Sequence, residues 1–200
     1  MPRNNLDVLC LLQEHGAIME GHFVMPSGFH SQSYIQTSLL LQHPHLAQRI
    51  AQALSDKFSQ KADVILALEP SNSVLAQEVA RVRGARAIFA SRNEQGQMVL
   101  KHNFVLKPGE RVLVVDDVTV GGRKLAQAIE LAQGLGAHVF GIVSVVFFGV
   151  AVIVDRSMGY LPLTIPLRAL LSYPMETFTA KECPLCAAKI PFTDVETLNK

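Results

Sequence analysis

The sequence lacks the features that would place it in several large protein classes. Its 200 residues include only three cysteines, too few for a disulfide framework, and the odd count favours a reducing compartment. The formal net charge is +1 and no run of lysine and arginine exceeds two residues, so no extended nucleic-acid-binding surface is predicted. A small anionic ligand remains compatible with this charge.

Long apolar segments are also missing. The longest apolar run, Val139 to Val154, is interrupted by Gly141, Ser144 and Gly149, and no apolar signal core follows basic residues at the start. We therefore expect a soluble cytoplasmic protein that has no membrane partner. The hydrophobic content of 49% is enough for one sizeable core, and composition marks no second domain.

Apolar periodicity predicts alternating strands and helices. The expected strands cover residues 64–68, 85–90, 112–115 and 139–146, and the expected helices cover residues 5–14, 44–58, 73–82 and 123–134. An extended hairpin is expected around residues 22–34, and a flap or hairpin around residues 97–106. This alternation predicts an α/β fold in which helices cover both faces of a parallel sheet.

The most informative segment runs from Arg111 to Gly122, with the sequence RVLVVDDVTVGG. In this segment an apolar strand is followed by two adjacent carboxylates, Asp116 and Asp117, at the end where open α/β sheets bind ligands. The two glycines that follow allow backbone N–H groups to face an anion, and the helix predicted after them adds its positive dipole end. The pattern predicts a site for a phosphorylated sugar and its metal; the alternative is an ordinary βα turn with an acidic surface.

A second motif, Cys183-Pro184-Leu185-Cys186, has the spacing of a metal-binding knuckle. It supplies only half of a site, because four ligands are normally needed and no second cysteine pair follows. The remaining possibilities are a zinc site shared across a dimer, a site completed by histidine, or two reduced structural thiols.

Separate segments carry a resemblance to a known family. They are residues 16–23 (GAIMEGHF), 27–31 (SGFHS), 34–36 (YIQ), 78–81 (EVAR), 84–90 (GARAIFA), 107–111 (KPGER), 154–157 (VDRS) and 182–186 (ECPLC). Together they resemble the type I phosphoribosyltransferases, and within them the bacterial orotate phosphoribosyltransferases, over nearly the full length. The resemblance implies a Rossmann-like core of about residues 41–159, with a small hood from about 1–40 and 160–200, all in one domain.

For that family the resemblance implies a glycosyltransferase reaction in pyrimidine biosynthesis. Orotate displaces pyrophosphate from phosphoribosyl pyrophosphate, with Mg²⁺ as cofactor, and orotidine 5′-phosphate is formed. Members often complete the site from a neighbouring subunit, so a homodimer is expected.

The resemblance also assigns roles to residues. Asp116 and Asp117 would bind the ribose hydroxyls and help to place Mg²⁺, and Ser71 and Asn72 would face the pyrophosphate. The 5′-phosphate would lie against Thr119, Val120, Gly121 and Gly122. Arg156 would pair with the orotate carboxylate, or else form a surface ion pair with Asp155. Arg92, Lys101 and His102 would meet the departing pyrophosphate as catalytic or binding cations, or else belong to an ordinary solvated hairpin.

Three segments depart from the family pattern. Residues 67–72 (ALEPSN) replace a glycine-rich loop and add Glu69, whose charge at roughly 4 Å from a phosphate would oppose binding by around 4 kcal/mol at an effective dielectric of about 20. Asn72 could preserve a turn that needs positive φ. The loop after Asp117 is about one residue shorter than the family pattern and leads into Arg123. The segment from Val143 to Ile153 is about eight residues longer than the corresponding strand of the family, more than one strand of typical size can bury. These departures favour the alternative of a catalytically impaired phosphoribosyltransferase-fold protein that senses a ligand or binds a protein.

Overall fold

The computed structural model describes residues 6–119, 123–147, 167–173 and 175–198. Within these residues the strands are β1 (Ile18–Val24), β2 (His30–Ile35), β3 (Val64–Ala67), β4 (Arg86–Arg92), β5 (Met98–Leu100), β6 (Arg111–Thr119), β7 (His138–Phe147), β8 (Leu167–Ser172), β9 (Thr177–Phe178) and β10 (Thr193–Asp194). The helices are α1 (Val8–Glu14), α2 (Ser38–Leu41), α3 (Pro44–Ser55), α4 (Ser73–Arg83), α5 (Arg123–Gly134), α6 (Pro184–Ala187) and α7 (Val195–Leu198).

The larger sheet has the strand order β5-β4-β3-β6-β7-β8. Its strands pair in parallel, except that β5 runs antiparallel to β4. The predicted α/β fold with a central parallel sheet is confirmed.

Alternate side chains of the central strand β3 enter two separate hydrophobic clusters. Val64 and Leu66 pack on the side of α5, whereas Ile65 and Ala67 pack on the side of α3 and α4, and all four are completely or almost completely buried. Helices therefore cover both faces of the sheet, as the apolar runs predict.

The sequence explains where α3 begins and where α4 ends. Pro44 is the first residue of α3, a position at which a backbone N–H would have no partner within the helix. The helix buries Ile50 and Leu54 completely. Helix α4 ends at Gly84, whose φ of 61° is the left-handed conformation that closes many helices.

Strand β6 is longer than its apolar run predicts. It does not end at Val115 but continues through both aspartates to Thr119, because β7 also extends and pairs with it as far as Phe147. Its other neighbour, β3, stops at the level of Val115. The extra length of β7 thus supports the end of β6, and residues 148–153 of the predicted insertion lie outside the described residues.

A second, smaller sheet combines the two ends of the chain, in the order β10-β1-β2-β9. Strands β1 and β2 form an antiparallel hairpin, and the C-terminal strands add to its two edges. Among the described helices, none is both long enough and apolar enough to span a bilayer.

Candidate functional site

The candidate site lies at the carboxyl edge of the larger sheet. Strand β3 ends at Ala67, opposite Val115, so Asp116 and Asp117 extend past the end of that neighbour. The loop after β3, the end of β4 and the beginning of α5 lie around this step in the sheet. Open parallel sheets bind ligands in such crevices.

Asp116 is buried, with 5% of its surface exposed, and its carboxylate accepts three hydrogen bonds. The donors are the side-chain amide of Asn72 at 2.6 Å, the hydroxyl of Thr119 at 2.9 Å and the backbone N–H of Asp117 at 3.1 Å. Burial and the neighbouring charge of Asp117 outweigh these hydrogen bonds and raise the pKa of Asp116 to about 7. The nearby charge of Lys124 offsets only part of this cost.

Asp117 is half-buried and bonds to a different part of the molecule. Its carboxylate accepts a hydrogen bond of 2.5 Å from the hydroxyl of Thr37 and one of 2.8 Å from the backbone N–H of Val118. Thr37 immediately precedes α2 and is itself buried. The two aspartates are thus fixed separately, one by the loop after β3 and the other by the segment after β2.

The loop after β3 is a short 3₁₀ turn over Pro70–Asn72. Asn72 has φ of −90°, and no residue from Glu69 to Ser73 has positive φ, so the turn does not need the conformational freedom of glycine. The turn is formed without using the tolerance of asparagine for positive φ. Its side chain instead holds Asp116, while Ser71 is exposed and its hydroxyl lies 3.4 Å from the Asn72 side-chain oxygen.

The charge of Glu69 is met by two cations. Its carboxylate lies 3.1 Å from the Lys124 ammonium and 3.8 Å from the Arg92 guanidinium. Lys124 is in the first turn of α5, and Arg92 is the last residue of β4. The repulsion expected between Glu69 and a phosphate is therefore offset locally, and the same cations line the edge where an anion would arrive.

The predicted flap cations separate into two groups. Arg92 lies at the carboxyl edge, where its guanidinium also donates to the Gly96 carbonyl at 2.6 Å and to the Gln127 side chain at 3.2 Å. Lys101 reaches this edge through its ammonium, which donates to the Arg92 carbonyl at 2.6 Å. His102 instead packs its ring against Phe89, with the ring centroids 5.4 Å apart, and forms no described bond to the aspartates.

Four predicted site residues cannot be placed. Val120, Gly121 and Gly122 of the 5′-phosphate loop, and Arg156, lie outside the described residues. The helix expected after the glycines does begin at Arg123, and with twelve residues it directs a substantial dipole toward the end of β6.

Sequence reasoning missed Thr37 and Lys124. Thr37 looks like an ordinary helix-capping residue before an apolar helix, but its hydroxyl caps nothing and bonds Asp117 instead. Lys124 looks like a solvated helix residue. The signal that could have found it is Glu69, because a carboxylate in a phosphate-binding loop needs a cation beside it.

The donor atoms at this edge suit a hard divalent cation. Asp116 and Asp117 offer carboxylate oxygens, which Mg²⁺ prefers, and the raised pKa of Asp116 shows that the charged carboxylate is under-compensated in the free protein. A bound cation would relieve that cost. The residues present therefore fit the magnesium ion that the resemblance implies.

Comparison with known proteins identifies relatives of this chain. A family model described as a phosphoribosyl transferase domain matches residues 36–166. The chain is 37% identical to an orotate phosphoribosyltransferase of Thermus thermophilus over 95% of this chain and 100% of that protein. It is 39% identical to the orotate phosphoribosyltransferase of Caldicellulosiruptor bescii, over 90% and 91% of the two chains.

Solved structures show the same fold. The orotate phosphoribosyltransferase of Aeropyrum pernix superposes with a TM-score of 0.67 at 19% identity, covering 82% of this chain and 93% of the other. The acidic pair at the end of β6 and the helix that follows it fall within the matched region of the family model.

Proposed function

Because this chain belongs to the phosphoribosyltransferase family, and within it to the orotate phosphoribosyltransferases, we propose that it transfers a phosphoribosyl group to orotate. The bond between ribose C1′ and pyrophosphate breaks, and its electron pair leaves with pyrophosphate. A bond from C1′ to the orotate ring nitrogen forms as that nitrogen loses its proton to pyrophosphate or solvent, and the products are orotidine 5′-phosphate and pyrophosphate. The observation that carries the proposal is the position of Asp116 and Asp117, which are held separately at the sheet edge in a chain that matches a relative over 95% of its length.

The work asked of the protein is mainly electrostatic. As pyrophosphate leaves, the ribose acquires oxocarbenium-like positive charge, and carboxylates held near its hydroxyls favour that charge and orient the ring. Asp116 is well suited to this task, because Asn72 and Thr119 fix its side chain before substrate binds. Thr37 does the same for Asp117.

Magnesium, when bound, would neutralise the negative charge of the pyrophosphate. Asp116 and Asp117 are the residues that would hold it beside the substrate. Arg92 and Lys124 would attract the pyrophosphate from the other side of the crevice, and we assign Ser71 to its rim. Lys101 steadies the backbone of Arg92 and becomes available to the leaving group if the hairpin closes.

The remaining contacts complete the proposed site. Thr119, Val120, Gly121 and Gly122 would receive the 5′-phosphate at the beginning of α5, where backbone N–H groups and the helix dipole favour an anion. Arg156 would bind the orotate carboxylate through its planar guanidinium. The protein would act as a cytoplasmic homodimer, with His102 on the hairpin that faces the neighbouring subunit.

The rival function is a binding module without turnover, and Glu69 in the pyrophosphate loop is the observation that favours it. The pairing of Glu69 with Lys124 and Arg92 favours the enzyme instead. An assay that follows the loss of orotate absorbance with phosphoribosyl pyrophosphate and Mg²⁺ decides between them.

We expect turnover by the wild-type protein and loss of most of it in Asp117→Asn. The matched control is Asp56→Asn, which changes an exposed carboxylate after α3 and should keep the wild-type rate. Binding of phosphoribosyl pyrophosphate without any turnover would establish the rival, and absence of both binding and turnover would refute the two functions together.

A further inference from the structure

The cysteine pair that looked like half of a metal site has two histidine neighbours. His22, His30, Cys183 and Cys186 each direct one ligand atom into a common point, and these four atoms lie within 4.8 Å of one another. Three of the residues are buried, and Cys186 is half-buried. The cluster belongs to the smaller sheet and contains none of the residues assigned to the sugar-phosphate site.

The fold explains how residues so distant in sequence meet. In the β1–β2 hairpin, His30 is directly opposite Val24, and His22 lies in the irregular part of β1 between Glu20 and Phe23, where the register shifts. The two imidazole rings meet there through His22 Nε2 and His30 Nδ1. Strand β10 pairs in parallel with β1 through Phe23 and Thr193, and this pairing brings the C-terminal segment beside the hairpin. The turn from Cys183 into α6 then presents both sulfur atoms to the histidine rings.

The distances approach those of a tetrahedral zinc site. Zinc lies about 2.3 Å from cysteine sulfur and about 2.0–2.1 Å from histidine nitrogen, so a tetrahedron has sulfur–nitrogen edges of about 3.6 Å. The Nε2 atom of His22 lies 3.5 Å from the Cys183 sulfur and 3.7 Å from the Cys186 sulfur, and His30 Nδ1 lies 3.4 Å from the Cys186 sulfur.

The separation of the two histidine nitrogens is smaller. His22 Nε2 and His30 Nδ1 are 2.8 Å apart, a hydrogen-bond distance, whereas a zinc tetrahedron has a nitrogen–nitrogen edge of about 3.3 Å. If the two histidine nitrogens moved apart by about half an ångström, the cluster would accommodate the ion. The competing arrangement is a hydrogen bond between two neutral imidazoles beside two reduced thiols.

The surroundings orient His22 as a ligand. Its Nδ1 lies 2.7 Å from the Ile190 carbonyl, and when this nitrogen donates its proton there, Nε2 keeps its lone pair for the cluster. The ring of Phe192 covers both imidazoles, with centroid distances of 5.9 Å to His22 and 6.2 Å to His30. The carbonyl and the aromatic cover both come from the C-terminal segment, close to its cysteines.

We propose that His22, His30, Cys183 and Cys186 bind a structural zinc ion that fastens the C-terminal segment to the N-terminal hairpin. Four protein ligands leave no open position for substrate or water, so the site is structural rather than catalytic. Two thiolates balance the charge of the ion.

The C-terminal segment pairs with the hairpin through β9 and β10 but has only a small hydrophobic core. In residues 175–198 the buried hydrophobic residues are Met175, Cys183 and Val195, while the large side chains of Ile190 and Phe192 are 45% and 60% exposed. A bound metal would add folding energy to a segment with so small a core. The inference does not depend on the proposed catalytic function.

The first test is metal analysis of the full-length protein, produced with zinc in the medium and dialysed against metal-free buffer. We expect about one zinc ion per chain, as a closed four-ligand site requires. Cys186→Ser should lose most of it. Cys10→Ser is the matched control, since Cys10 is an exposed cysteine on α1 and should leave the zinc content unchanged.

The second test uses the wild-type protein, so a variant that fails to fold cannot obscure the answer. Replacement of zinc by Co²⁺ should produce the intense visible bands of tetrahedral cobalt and the near-ultraviolet absorption of cobalt–thiolate bonds. Removal of the metal by a chelator should lower the melting temperature.

Zinc content near zero in the wild-type protein, together with the absence of tetrahedral cobalt bands after Co²⁺ is added, would overturn the proposal in favour of the imidazole hydrogen bond. Orotate turnover in that metal-free protein would show that the catalytic proposal stands by itself. A zinc content in Cys186→Ser equal to that of the wild-type protein would also refute this set of ligands.

Discussion

The two ends of strand β6 hold their charges in opposite ways. At the amino end, the Arg111 guanidinium donates two hydrogen bonds of 2.9 Å to the Asp63 carboxylate, and the Arg111 backbone N–H donates a third. These hydrogen bonds hold the pKa of Asp63 well below its usual range. At the carboxyl end, burial and Asp117 raise the pKa of Asp116 to about 7.

Under the proposed function, the amino end of β6 is its structural end and the carboxyl end is its functional end. The ionised form of Asp63 is favoured by folding, because a cation with matched geometry is already in place. The ionised form of Asp116 is disfavoured by folding, because burial and the charge of Asp117 outweigh the hydrogen bonds and the charge of Lys124. A carboxylate kept at this cost is expected where a protein binds charge rather than where it only needs stability.

The largest expected effect is the loss of catalysis when the functional end is neutralised. Asp116→Asn keeps the shape and the contact to Asn72 but removes the negative charge, so kcat/KM for phosphoribosyl pyrophosphate should fall by about 100-fold or more. Steady-state orotate assays measure it. Asp63→Asn, at the other end of the strand, should stay within about twofold of the wild-type value; equal losses in both variants would erase the distinction between the ends.

The second expected effect is a dependence of stability on pH that the same substitution removes. The pKa of Asp116 is about 7 in the folded protein and about 3.9 in the unfolded chain, so only the unfolded chain releases this proton between about pH 4 and pH 7. Its contribution therefore lowers the free energy of unfolding as pH rises through this window, by at most about 4 kcal/mol in total, and stays constant above it.

Urea unfolding of the wild-type protein and Asp116→Asn across this range provides the measurement. The stability advantage of the variant should be small near pH 4 and should grow to its full value near pH 8. Parallel pH profiles for the two proteins would show that Asp116 does not titrate abnormally.

The third expected effect has the opposite sign. Because Arg111 lowers the pKa of Asp63, this carboxylate contributes stability above about pH 4 that is lost as pH falls toward the folded-state pKa. Asp63→Asn should therefore melt at a lower temperature than wild type at pH 7. The difference should shrink below pH 4, as thermal melts at several pH values would reveal; a gap that widens in acid would contradict the assignment. Both side chains are partly exposed, so the effect at neutral pH is modest.

The sequence predicted the scaffold well because its signals are local. Apolar runs such as Val112–Val115 and the helix signals around Pro44 and Gly84 each specify one element, and α/β alternation then restricts the order of the strands. The extension of β6 through Asp117 was not predicted, because it depends on pairing with β7. Adjacent polar residues do not by themselves indicate a strand.

Side-chain partners were harder to predict, because they depend on contacts between distant segments. The hydrogen bond from Thr37 to Asp117 spans 80 positions, and the contact between His22 and Cys183 spans 161. The sequence did name both cysteines and the possibility that histidine completes their site. It could not say which histidines, since that choice is made by the hairpin register that places His30 opposite Val24.

The smallest expected effect concerns Glu69. This carboxylate lies near the functional end of β6, but like Asp63 at the structural end it is already paired with cations. In Glu69→Gln, Lys124 and Arg92 lose a negative neighbour at 3.1 Å and 3.8 Å, so the crevice becomes more positive. The KM for phosphoribosyl pyrophosphate should fall by about fivefold, consistent with roughly 1 kcal/mol for partly exposed charges. Glu78→Gln, which breaks the exposed Glu78–Arg81 pair on α4, is the control and should not change KM. A higher KM in Glu69→Gln would instead mean that Glu69 positions the two cations, and the carboxylate would then belong to the binding machinery rather than oppose it.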